Sequence, residues 1–143
     1  MKDKEFKNYN HRCNGFSIHA RGKQIETKYN PDAVLVKGNK YLIIEHESQP
    51  NRKTIVADIL KAAHFLQGER SGELVVVLSP KGKSSFKSYP KHVLSYFNWL
   101  KERTNLKNVY FVSFKDYMDG NMPIEIHSDV FLKVATSLNG IKS

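Results

Sequence analysis

The stretch PDAVLVKGNKYLIIEHE, residues 31–47, decides how this chain is built. Gly38-Asn39 in its middle is a good two-residue turn, because both residue types tolerate a positive φ. That turn sets a register in which Lys37 faces Lys40, Val36 faces Tyr41 and Val34 faces Ile43. Continued outward, the same count puts Asp32 opposite Glu45, and the period of two puts Glu47 on the face of Glu45. Between the turn and the acids the hairpin is apolar on both faces: Val34 and Ile43 on one, Leu35, Leu42 and Ile44 on the other. Strands covered on both sides read this way, so the acids close a buried pair. Directly opposed side chains stand about 4.5–5.5 Å apart at Cβ, and like charges there repel. Three carboxylates in one patch either shift their pKa values or share a cation. Mg²⁺ or Mn²⁺ is the natural occupant, since hard cations prefer oxygen ligands. The alternative is a set of solvated strand-end carboxylates, and a bulge would break the pairing altogether.

Upstream, residues 16–20 and 24–29 lean towards β structure on either side of Arg21-Gly22-Lys23, which reads as a turn, and residues 1–13 form a polar lead-in. Downstream the period changes. Ile55, Ile59, Ala62, Ala63 and Leu66 recur at helical spacing over residues 53–67, with Lys53, Asp58, Lys61 and His64 placed elsewhere on the wheel. Asn51 suits the N-cap and Gly68 the stop. The apolar run at 73–78 predicts a strand buried on both faces. A helix from about Pro90 carries Val93, Leu94, Phe97 and Leu100 on one stripe; a strand over 109–114 and a helix over 129–138 follow. The order is a β-meander and then α-β-α-β-α, which predicts a single α/β domain over 1–143 with a mixed sheet flanked by helices.

Of the 143 residues, 23 are Lys or Arg and 14 Asp or Glu, a net charge of +9. A domain this basic is drawn to polyanions, nucleic acid foremost. An acidic membrane surface is the rival partner, but no strongly basic amphipathic helix supports it. The lone Cys13 excludes an intrachain disulfide and a cysteine-based zinc site. With no apolar run near the roughly 20 residues of a membrane span and no secretory signal at the start, the expected location is the cytoplasm.

Pro31-Asp32, a strand, then Glu45-His46-Glu47 resembles the motif of the PD-(D/E)xK nuclease superfamily. Glu45 to Pro50 followed by a helix is similar to recombination-promoting, transposase-associated nucleases of that superfamily. Small size, basicity and the Asp-to-Glu spacing also resemble archaeal Holliday-junction resolvases and small homing endonucleases. The resemblance implies a restriction-endonuclease-like fold and metal-dependent hydrolysis of DNA, with Asp32 and Glu45 on the metal. Glu47 stands where the family usually has Lys; some restriction enzymes carry Glu there. It would orient or deprotonate the attacking water, or bind a second metal. A lysine's role would then pass to Lys53 or Lys61 on the following helix. Glu26 is a further acidic candidate ligand. Since one small domain grips a duplex poorly, a homodimer or a larger nuclease complex is expected.

For DNA contact the sequence offers the loop 79–91, where Lys81, Lys83, Lys87 and Lys91 alternate with Phe86 and Tyr89, together with Arg52 and Lys61. A lysine-rich surface loop is the plainer reading. Gly82-Lys83-Ser84 imitates the end of a phosphate-binding loop, but Val77 stands where the required first glycine belongs. The six histidines show no ligand spacing, and His46 alternates to the face opposite the acids. Tyr96, Phe97 and Trp99 default to core or dimer packing. Two other function classes stay open: a non-catalytic nucleic-acid-binding protein on the same fold, and an interaction subunit of a defence or mobile-element system.

Overall fold

In the computed structural model, which describes residues 3–79 and 88–141, the hairpin of residues 31–47 sits inside a six-stranded mixed sheet. A short helix α1 (Asp3–Phe6) precedes β1 (Ser17–Ala20), β2 (Ala33–Lys37) and β3 (Lys40–Glu47), which form an antiparallel meander. Helix α2 (Arg52–Phe65) crosses to β4 (Ser71–Leu78), parallel to β3, and α3 (Ser88–Lys101) crosses to β5 (Leu106–Ser113), parallel to β4. The chain ends with α4 (Phe114–Tyr117), the small hairpin β6 (Met118–Asp119) and β7 (Met122–Pro123), α5 (Asp129–Val134), β8 (Thr136–Ser137) and a 3₁₀ turn at Leu138–Gly140. The sheet order is β1-β2-β3-β4-β5-β8.

The hairpin register is the one the turn dictates: Lys37 pairs with Lys40, Val36 with Tyr41 and Val34 with Ile43. Of the two turn residues only Gly38 takes a positive φ, 60°. Alternation then splits the core into two. Val34, Ile43, Leu74, Val76 and Leu78 pack under Ile55, Ile59 and Ala62 of α2 and Val93 and Phe97 of α3. Leu35, Leu42, Ile44, Val75 and Val77 face Phe6, Tyr117 and Phe131 on the other side. Residues Leu74 to Leu78 are therefore inaccessible from either face, which explains their unbroken apolar run.

Three expectations are corrected. Residues 24–29 are not a strand: Lys28 turns left-handed (φ 59°), and Ile25 and Tyr29 close a tight turn through Ile25 N–H to Tyr29 C=O (3.0 Å). The last helix stops at Val134, because Ala135 is extended (ψ 145°) and Thr136–Ser137 instead pair with β5. That pairing covers part of a sheet edge that would otherwise be open. Tyr96 and Trp99 are not core residues; each is 57% exposed, with Arg103 stacked on the Trp99 ring at 4.1 Å. Among the described residues no helix is long and apolar enough to cross a membrane.

Candidate functional site

The ladder of β2 and β3 ends at Ala33–Ile44, and the acids lie one step beyond it. There the side chains take over the pairing. Asp32 N–H donates to Glu45 Oε1 (3.1 Å), and His46 N–H donates to Asp32 Oδ2 (2.7 Å). Each carboxylate thus caps the backbone of the opposite strand, which fixes the two side chains against each other. The chain before Asp32 is clamped as well, since Gly22 N–H reaches both Pro31 C=O (3.1 Å) and Asp32 C=O (3.0 Å). Gly22 holds a φ of 67° there, a conformation that suits glycine.

Glu45 and Glu47 point to the α2 side of the sheet, as their odd-numbered neighbour Ile43 does. Helix α2 is capped by Asn51, whose Oδ1 accepts from Thr54 N–H (2.9 Å). The capped helix brings to the acids a residue that the sequence reading left on the outer wheel. Asp58 is 7% exposed and hydrogen-bonds to Glu47, one carboxyl against another. A bond between two carboxyls requires that one of them hold a proton. Burial, the Glu47 bond and the charges of Glu45 and Glu47 together push Asp58 up to about 11. Burial and the charge of Asp32 push Glu45 up to about 8, against the bond from the Asp32 amide, which favours the ionised form. Tyr29, 3% exposed, has its phenol raised by burial and by the charges of Glu45, Asp58, Glu26 and Asp32. The site is four carboxylates and a phenol in a common field. A lone exposed lysine, Lys61, is the cation whose charge eases both Glu45 and Asp58.

Compared with protein-family models, with curated proteins and with solved structures, the chain matches none of them. The site has to be read from its own geometry.

The remaining candidates divide clearly. Lys61 lies about 60° round α2 from Asp58, on the acids' side, whereas Lys53 lies about 140° away. Lys53 is exposed and lines a hollow between α2 and α3 with Arg52, Val56, His92 and Tyr96, so it is not the lysine that accompanies the acids. Glu26 is drawn to His64 near the end of α2, its Oε1 2.5 Å from His64 Nδ1, and reaches the cluster only through its charge on Tyr29. Lys91 is exposed on α3. Tyr89 is spent on packing, its hydroxyl donating to Pro50 C=O (3.1 Å). Lys81, Lys83, Lys87 and Phe86 lie outside the described residues. The chain leaves β4 beside the acids, where Ser79 N–H donates to Glu47 C=O (3.0 Å). His46 lies on the far face, stacked on Phe6 at 4.8 Å, with Nε2 2.9 Å from Ser79 Oγ.

Among the described residues, no three His, Cys, Asp or Glu side chains stand together as a ready-made ligand set. The fit to a cation is one of donor type. All four side chains offer carboxylate oxygens, the donors that Mg²⁺ and Mn²⁺ prefer. Asp58 Oδ2 is also buried without a hydrogen-bond partner. Asp32, Glu45 and Glu47, with Asp58 beside them, are the residues that would hold it.

Proposed function

We propose that this chain is a metal-dependent DNA endonuclease that hydrolyses phosphodiester bonds at the Asp32–Glu45–Glu47 cluster, with Mg²⁺ or Mn²⁺ as cofactor. The observation that carries the reading is the reciprocal capping of Asp32 and Glu45, which holds two carboxylates together at the end of a buried hairpin. Like charges brought together at the edge of a core are costly unless a cation or a proton offsets them. When bound, a divalent cation polarises a phosphate and lowers the pKa of water for in-line attack. The protein's part is positioning. Backbone amides fix Asp32 and Glu45, and Glu47, adjoining on the same face, orients or deprotonates the attacking water. Lys61, whose charge acts on Glu45, would be the lysine that adds positive charge near a phosphate, rather than Lys53. The net charge of +9 supports DNA as the partner, with Arg52, Lys61 and Lys91 among its exposed cations. Two such sites, in a homodimer or a larger complex, would cut both strands.

The test is cleavage of plasmid, junction and single-stranded DNA with Mg²⁺ or Mn²⁺. Asp32→Ala and Glu45→Ala are each expected to lower the rate on the order of a hundredfold or more, the upper end of what loss of a group supporting a metal costs. Full activity in the purified double variant sinks the assignment.

One observation favours a second reading, a nucleic-acid-binding protein without catalysis. Glu47 is hydrogen-bonded to Asp58, so an acid pair occupies the position where the resembled family usually has a lysine. Salt-dependent DNA binding with no nicking on any of these substrates would select it.

A further inference from the structure

Tyr96 and Trp99 stand exposed on α3, and α2 answers them with Leu60, 54% exposed. Together with Val56, Ile59 and Leu100 they line a hollow of about 200 Å³ between the two helices. Apolar residues scattered singly over a surface are ordinary, but a contiguous patch marks a surface that something covers. The groove continues towards the helix N-termini. There Val56 and Tyr96 are shared with a second hollow, of about 510 Å³, completed by Arg52, Lys53, His92 and Val93. Positions 52/53, 56 and 59/60 of α2 thus run beside 92/93, 96 and 99/100 of α3, each series lying on one helix face. At 1.5 Å per residue the groove is about 12 Å long, a little over two helical turns.

Its charge has one sign. Helices α2 and α3 hold a single acid between them, Asp58, and it is buried. Their exposed charges, Arg52, Lys53, Lys61, Lys91 and Lys101, are all positive. Among the described residues no carboxylate pairs with Arg52 or Lys53. Glu102, just past the end of α3, lies 3.7 Å from Arg103, whose guanidinium covers the Trp99 ring. A second copy docked face to face would set these cations against themselves. DNA answers the charge but not the hollow, because a base buried there would leave its polar edge without partners. A leucine or phenylalanine suits the apolar end, and a carboxylate suits Arg52 and Lys53.

We propose that the α2–α3 groove docks a partner protein through an acidic amphipathic helix, whose apolar side chains enter the hollow between Leu60, Tyr96 and Trp99 and whose carboxylates meet Arg52 and Lys53. Helices seated in grooves are held in this way, by anchors at i, i+3 or i+4 and i+7. The inference stands apart from the acid cluster and holds whether or not the chain cleaves DNA.

Trp99 is the chain's one tryptophan, so its emission reports on the hollow directly. A displayed library of helical peptides, randomised on every face, is selected on the full chain, and the peptides that emerge are synthesised and titrated. They should be acidic, carry large apolar residues at the anchor spacing, and move the Trp99 emission to shorter wavelength as water leaves the ring. Arg52→Glu/Lys53→Glu and Leu60→Ala/Tyr96→Ala should each weaken them at least tenfold; all four side chains are exposed, and thermal unfolding checks that both variants fold. Raising salt from about 0.05 to about 0.5 M should weaken binding several-fold, because the cations are exposed. Selected peptides that are basic, that leave Trp99 unmoved or that ignore Arg52→Glu/Lys53→Glu overturn the inference, as does a selection that yields none. Oligo(dT) that quenches Trp99 where the peptides do not assigns the groove to nucleic acid. A dimer in sedimentation that Leu60→Glu/Tyr96→Glu turns into a monomer assigns it to a second copy, and either result overturns the docking of an acidic helix.

Discussion

Glu45 and His46 are adjacent in β3 and enter two buried polar clusters that solve the same problem differently. On the His46 side the polar contacts among the described residues close. His11 Nε2 lies 2.6 Å from the Phe6 carbonyl oxygen, which can only accept, so Nε2 carries the proton. His11 Nδ1 is then an acceptor for the Tyr117 hydroxyl at 2.7 Å. Phe6 stacks on the His46 ring at 4.8 Å and meets the His11 ring at a tilt, at 4.6 Å. On the Glu45 side a tyrosine and four carboxylates are gathered with a phenol and an acid oxygen left over. Buried polar groups in folded proteins are nearly always paired. A cluster that satisfies itself needs no ligand, and one that does not is the place to test for one.

The largest effect that tests this contrast is on the closed side. His11 is 3% exposed, and His11→Ala removes the ring and strands both the Tyr117 hydroxyl and the Phe6 carbonyl. A cavity plus two lost bonds should cost about 3 kcal/mol, read as a lower urea midpoint. The counterpart on the open side, Asp58→Asn in EDTA, should cost nothing or stabilise, because it removes a buried acid that lacks a donor. A loss as large as that of His11→Ala would make Asp58 a structural residue.

Proton linkage gives the two clusters opposite slopes. Burial lowers His11 from 6.5 to about 4. The unfolded chain therefore binds the extra proton first, and this side loses stability as pH falls from about 6.5 to about 4. Glu45 is raised from 4.5 to about 8 and Asp58 from 3.8 to about 11. Here the folded protein holds the extra protons, and stability is lost as pH rises above about 4 through the folded values. Above pH 6.5 His11 is silent, so in EDTA stability should fall from pH 6.5 to 8, by up to about 1.4 kcal/mol per pH unit for each proton. The Glu45→Gln/Asp58→Asn double variant should shrink the fall to the part left by His127, which its bond to Glu73 raises. A flat or rising profile in the native protein would mean that these acids are ionised and solvated.

How much of this could be read from the sequence depended on whether the local rules agreed. The hairpin was legible because turn and apolar pattern agreed, and together they carried Asp32 and Glu45 to within one residue of the ladder's end. Residues 24–29 misled because Ile25, Thr27 and Tyr29 alternate like a strand, while Lys28 adopts a left-handed φ that no local pattern announces. Residues 135–137 misled because the need to cover β5 outweighs helix continuation. Asp58 had a usable signal. It stands three residues after Ile55 and four before Ala62, inside the apolar arc, and its charge alone argued for the outer face. Lys53 was attractive for its nearness in sequence to Glu47, and helix geometry turns it away.

The smallest effect is the most discriminating, because it compares one atom with its like. Tyr117→Phe and Tyr29→Phe each remove a buried hydroxyl and leave the ring in its core. Tyr117 donates to His11 Nδ1, so its loss leaves a buried acceptor unpaired and should cost about 1–1.5 kcal/mol. Tyr29 Oη has no partner to abandon. In EDTA its removal relieves a desolvated hydroxyl and should leave stability unchanged or raise it by up to about 1 kcal/mol. If the acids hold a cation, saturating Mn²⁺ should reverse that sign, since the hydroxyl would then have an oxygen shell to donate to. Measuring both variants by urea unfolding with and without Mn²⁺ isolates the open cluster from the closed one. Equal losses for the two tyrosines, unmoved by the ion, would show that the Glu45 side closes on itself just as the His46 side does.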